Sequence, residues 1–100
     1  MKLQIHVEAS AELDAAAAWY DHEQEGLGDE LLEEVSRALS VISASPTTWP
    51  VVRRGSGLRR FLLSRFPYTI IYSEVESYIR VFAFAHQKRR PGYWRKRRFQ

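Results

Sequence analysis

Apolar residues recur with two different periods along this chain, and the changes of period mark out its elements. Leu3, Ile5 and Val7 alternate with Lys2, Gln4, His6 and Glu8, which is the period-2 pattern of a strand with one buried face. His6 falls on the outward set and reads as a solvated strand residue. Further on the spacing lengthens: Leu13, Ala16, Ala17 and Tyr20 lie three and four apart, predicting a helix to about Glu25 with Ser10 as its cap. Glu12 and Asp14 suit the positive end of its dipole, and the run Ala15 to Ala18 lets another element approach closely. Gly26 stops it. Asp29 is then placed to cap a second helix, whose stripe Leu32, Val35, Leu39 and Ile42 continues to Ser45-Pro46. So short a connection predicts an antiparallel helical hairpin. Asp29, Glu30, Glu33 and Glu34 read as its solvated acidic face.

Pro46 to Gly57 reads as a loop, with Trp49-Pro50 pinning an apolar contact. Three strand-like runs follow, Leu58 to Ser64, Tyr68 to Glu74 and Tyr78 to His86, and the last two carry the β-branched and aromatic residues of central strands. Phe66-Pro67 separates the first two, and Glu76-Ser77 turns between the others. Short connections make these three strands antiparallel neighbours. The order βααβββ therefore predicts an α+β fold, an antiparallel sheet with the N-terminal helical hairpin packed on one face.

One hundred residues, 45% of them apolar, are enough for a single domain spanning 1–100. The absence of cysteine excludes disulfides, thiolate metal sites and thiol nucleophiles. No apolar run reaches membrane-spanning length and the first residues lack a signal-peptide pattern, so a cytoplasmic protein without membrane contact is expected. Gly-rich phosphate loops, Ser-His-Asp arrangements and clusters with ligand spacing are all missing. Neither a cofactor nor a metal is expected. The net charge of +3 conceals a division. Residues 1–50 carry two cations against ten carboxylates, net −8; residues 51–100 carry thirteen against two, net +11. Such asymmetry suits a basic surface for a phosphate backbone or an acidic protein segment.

The element order and a series of local motifs resemble the RelE/ParE toxin superfamily over nearly the whole chain. They are Glu12-Leu13 and Ala17 with Trp19-Tyr20 in the first helix, Gly26-Leu27-Gly28 before the second, Arg59-Arg60, Phe66-Pro67-Tyr68 with Ile71-Tyr72, Ala85-His86, and Arg89-Arg90-Pro91-Gly92-Tyr93-Trp94. The resemblance implies the toxin of a type II toxin–antitoxin system of the plasmid-stabilisation type, held inactive by a cognate antitoxin in a hetero-oligomer. The ParE branch inhibits DNA gyrase by binding. The RelE branch cuts messenger RNA on the ribosome.

On the RelE reading the chemistry would fall to His86 as acid or base, Arg60 and Arg89 as charge stabilisers, and Tyr93 as support for a stacked base. RelE-like nucleases carry clustered cations before the Phe-Pro-Tyr equivalent and another after it. Here Leu62 and Leu63 follow Arg60, and Thr69 follows Tyr68. That departure favours the ParE-like reading, with Arg59, Arg60, Arg90, Trp94, Arg95 and Arg97 as target- or antitoxin-binding residues. It also expects no convergence of arginines around His86 in a pocket of nucleotide size. For the tail Arg95-Lys96-Arg97-Arg98 a solvated basic end stands beside a phosphate-contacting arm, and a decayed, non-toxic binding module stays open for the whole chain.

Overall fold

The computed structural model describes residues 2–99. Its elements follow the expected order: β1 (Lys2–Ile5), α1 (Val7–Glu23), α2 (Leu27–Ala44), β2 (Leu58–Leu62), β3 (Tyr68–Val75) and β4 (Tyr78–His86). No helix among the described residues is long and apolar enough to cross a membrane.

The four strands lie in the order β1-β4-β3-β2. The hairpin-connected strands β2, β3 and β4 are antiparallel, as their short loops require. β1 instead runs parallel to β4, from Lys2 beside Tyr78 to Ile5 beside Val81. An all-antiparallel sheet is therefore corrected to a mixed one, because the link from β1 to the other strands is a two-helix excursion that leaves its direction unconstrained. β1 is also more open than its alternation suggested, with Leu3 43% and Ile5 40% exposed.

Both helices start differently from expectation. α1 begins at Val7 with His6 as its cap, where the ring Nδ1 accepts the Glu8 N–H at 3.1 Å. Ser10 lies inside the helix. α2 begins at Leu27 after Gly26, whose φ of 86° puts it in the left-handed region. Its capping oxygen comes from the other helix, since Asp21 Oδ1 accepts the Gly28 N–H at 2.7 Å, and Asp29 takes no part. The two helices meet closely at that point: a Cβ on Gly28 would lie 2.3 Å from the Ala17 carbonyl oxygen.

The hairpin buries Ala9, Ala16, Leu31, Val35, Ala38 and Ile42 against Ile70, Tyr72, Ile79, Val81 and Phe84 of the sheet. A register slip between Ile71 and Tyr72 leaves Phe82 without a partner on β3. This bulge resets the alternation of β4, so Ile79 and Val81 face the helices upstream while Phe84 does so downstream. Ile71, Ala83 and Ala85 form a second apolar cluster, covered by Trp94 from the C-terminal segment.

Two polar ties position the loops. Tyr72, fully buried, donates its hydroxyl to the Pro46 carbonyl at 2.7 Å. Glu34, expected on a solvated face, is 9% exposed, and its carboxylate accepts the N–H groups of Ser64 and Arg65 after β2. The β2–β3 loop is thus held by α2, with Arg65 also paired to Glu30 at 2.7 Å. In urea unfolding, Glu34→Ala should lower stability by about 2–3 kcal/mol through loss of a charged acceptor for two amides, while Glu33→Ala, on the exposed face, should stay within about 0.5 kcal/mol. Gly28→Ala should cost about 3 kcal/mol in the same measurement, because the clash is with backbone.

Candidate functional site

The C-terminal end of β4 and the segment after it gather most of the residues singled out from the sequence. His86 closes β4 opposite Tyr68, the two rings meeting edge to face at 5.1 Å. Its Nδ1 accepts the Lys88 N–H at 3.1 Å, so the neutral ring carries its proton on Nε2, the nitrogen left for any partner. Arg89 follows in the same turn and stacks its guanidinium over the Tyr93 ring, 3.9 Å from the centroid.

Tyr93 itself is heavily engaged. Its hydroxyl donates a short hydrogen bond to Glu12 Oε2, and Arg97 approaches the same ring at 5.1 Å. Burial first, and the bond to Glu12 second, push its pKa far above the usual tyrosine value. A phenol so held stays protonated at neutral pH, and with Arg89 on its ring it has little face to offer a nucleobase.

Glu12, which the sequence marks only as a dipole partner and part of a motif, is the centre of this network. Its carboxylate accepts both Arg97 guanidinium nitrogens at 2.9 Å and the Phe84 N–H at 3.1 Å. Arg97 also donates to the Phe82 carbonyl at 2.9 Å. The signal was available: Glu12 falls three residues after Ala9 and four before Ala16, on the stripe α1 buries, and a carboxylate there requires a cation. Arg97, expected on a binding surface, is drawn inward to supply it, with 10% of its side chain exposed.

Two hollows flank His86 and Arg89. On the helical side, about 270 Å³ is enclosed between Ala15, Ala16, Trp19, Tyr68 and Tyr93. On the opposite face of the sheet lies a groove of about 360 Å³, whose floor is Ile71, Ala85 and Trp94 and whose walls carry Arg60, Arg89, Arg95 and His86. Arginines therefore do converge around His86 in a space of roughly nucleotide size, contrary to the expectation from sequence. Gly92 shapes this wall. With φ of 83° and no side chain it leaves room for Arg95, whose Nε would lie 2.5 Å from a Cβ there. Trp94, 7% exposed, is part of the floor and not a protruding contact, and its indole N–H finds no acceptor among the described residues.

The remaining arginines are elsewhere. Arg59 donates to the Trp49 carbonyl at 2.6 Å and fixes the loop before β2, where Trp49 also packs on Phe61 as its apolar character suggested. Arg90 lies exposed outside both hollows. No group of three His, Asp or Glu among the described residues could hold a metal ion. The groove can thus bind an anionic partner by charge, through Arg60, Arg89 and Arg95. As a reaction centre it offers one proton carrier, His86.

The Tyr93 geometry sets a pH dependence. The folded state holds the phenolic proton more tightly than the unfolded chain does, so this contribution is complete below about pH 10 and is lost as the pH climbs above it. Thermal unfolding followed across that range should show a steep alkaline decline, and Tyr93→Phe should flatten part of it. Tyr20, Tyr68 and Tyr72, also raised by burial, add to the decline in the same direction.

No family model matches the sequence, and no curated protein matches it. Among solved structures, a chain of the chromosomal ParDE toxin–antitoxin system from P. aeruginosa is similar with a TM-score of 0.63 at 18% identity, covering 86% of this chain and 95% of that one. The chain described here has the RelE/ParE toxin-like fold.

Proposed function

We propose that this chain is the toxin of a type II toxin–antitoxin pair, that it acts on DNA gyrase by binding and without covalent chemistry, and that an acidic segment of a cognate antitoxin silences it. The observation that carries this reading is the likeness of nearly the whole fold to a ParDE system. The site geometry supports it. Tyr93 is locked to Glu12 and covered by Arg89, which speaks against a catalytic role for it, and among the described residues no second proton carrier lines the groove with His86. A groove walled by guanidinium groups over an apolar floor suits an amphipathic acidic segment, which brings both charge and side chains to bury.

A second reading, ribosome-dependent cleavage of messenger RNA, is favoured by one specific observation, the convergence of Arg60, Arg89 and Arg95 around His86. Those cations would face a phosphorane, and His86 would have to serve as both base and acid.

Expression without antitoxin separates the two. For the gyrase-binding toxin, filamentation and a DNA-damage response should appear with messages intact, and the purified protein should inhibit supercoiling. His86→Ala should then leave potency within about threefold, whereas Arg60→Glu with Arg95→Glu should weaken it by about tenfold or more, as charge reversal in an electrostatic contact does. Cleaved messages, with His86→Ala lowering cleavage by about a hundredfold or more, would replace this reading by the second.

A further inference from the structure

Among the described residues the outer edge of β1 carries no strand, and its backbone is oriented to receive one. Lys2 and His6 send their N–H groups inward to the carbonyls of Ser77 and Val81. Hydrogen-bonding groups alternate sides along such a pair, so the N–H and C=O groups of Leu3 and Ile5 point away from β4. The side chains of these two residues are also left 43% and 40% exposed. Free edges are ordinarily protected by an inward-pointing charge, a proline or a bulge. β1 has its shortness, four residues, and one charge, Lys2, at its first position. Beside it runs a groove of about 410 Å³ where Leu3 faces Ser36, Leu39, Ser40 and Ser43 of α2.

We propose that two copies of this chain join along these edges, with their β1 strands antiparallel and centred on Gln4. The strand is self-complementary about that residue. Leu3 of each copy lies opposite Ile5 of the other, so apolar side chains meet and the outward N–H and C=O groups of both residues bond across the seam. Gln4 faces its own copy on the two-fold axis as a non-hydrogen-bonded pair.

Charge and shape select a second copy over an unrelated strand. The edge begins at Lys2 and ends toward Glu8, whose side chain is 63% exposed. In the register centred on Gln4, Lys2 of each copy lies across from His6 of the other, with Glu8 the nearest carboxylate along the chain, whereas in-register parallel pairing would set Lys2 against Lys2. Joining the sheets also brings the two α2 helices side by side on the same face. Ser36 and Ser40 are exposed and Ser43 is half-buried on the facing stripe, and such small side chains let helices pack at close interaxial distance. A peptide strand would satisfy the β1 backbone but would bring no matching helix to this groove.

The chain contains no cysteine, which gives a direct test on the full-length protein. Cα atoms in a non-hydrogen-bonded antiparallel pair are about 4.5 Å apart, within reach of a disulfide. Mild oxidation of Gln4→Cys should convert most of the protein to a disulfide-linked dimer. Leu3→Cys, displaced from its own copy in this register, should remain uncrosslinked. Wild-type protein should sediment with twice the monomer mass across a concentration series, and Ile5→Lys should sediment as a folded monomer by circular dichroism. Should that variant unfold, the cross-linking pattern decides alone. Wild-type protein sedimenting as a monomer at every concentration, or Leu3→Cys linking as readily as Gln4→Cys, would overturn the proposal.

Discussion

Beyond Ile5 the short β1 strand leaves the edge of β4 uncovered, and the peptide groups freed there must find other partners or carry the cost of unpaired polar atoms. The carboxylate of Glu12 and the guanidinium of Arg97 take their place: the first accepts the Phe84 N–H and the second donates to the Phe82 carbonyl. Each is also the other's counterion. Removing one would strand the other against the apolar interior, which is why such pairs are costly to break even where they add little net stability. Through this pair the helical layer, the sheet edge and the C-terminal segment become one unit. The position of Tyr93, and with it that of Arg89 over its ring, follows from that link.

The charge asymmetry of the chain acquires a structural meaning here. The acidic half and the basic half meet at few points, in the pairs Glu30–Arg65 and Glu8 and Glu12 with Arg97. Among the described residues, the groove on the far face of the sheet is lined by Arg60, Arg89 and Arg95 and by no carboxylate. Its field is therefore not neutralised from within the fold, and a desolvated floor beneath it strengthens that field toward anything entering.

Element order and the bounds of β4 were legible because long runs of β-branched and aromatic residues leave little choice of conformation. What escaped the sequence was tertiary. Glu12 and Glu34 both sit on buried helical stripes, yet Glu12 satisfies the dipole rule equally well when exposed and Glu34 continues a run of acidic residues, so local reasoning saw a dipole partner in the first and a solvated face in the second. The unbroken apolar run from Val81 to Ala85 concealed the bulge at Phe82, since either face of the strand could be read as buried. The parallel direction of β1 has no local code at all. At the site, the positions of His86 and Arg89 followed from the end of a strand, whereas the inward turn of Arg97 and Trp94 depends on a segment whose irregular backbone carries no period to read.

Gly28 sets how closely the two helices meet. With the Ala17 carbonyl against its α-carbon and Asp21 on its amide, the helical pair has no room for a larger residue at this crossing. Residues beyond His86 hold to the fold mainly through side chains. That terminal stretch supplies Arg89, Gly92 and Arg95 to the wall of the basic groove, so the position of its cations rests on side-chain ties and not on a strand ladder.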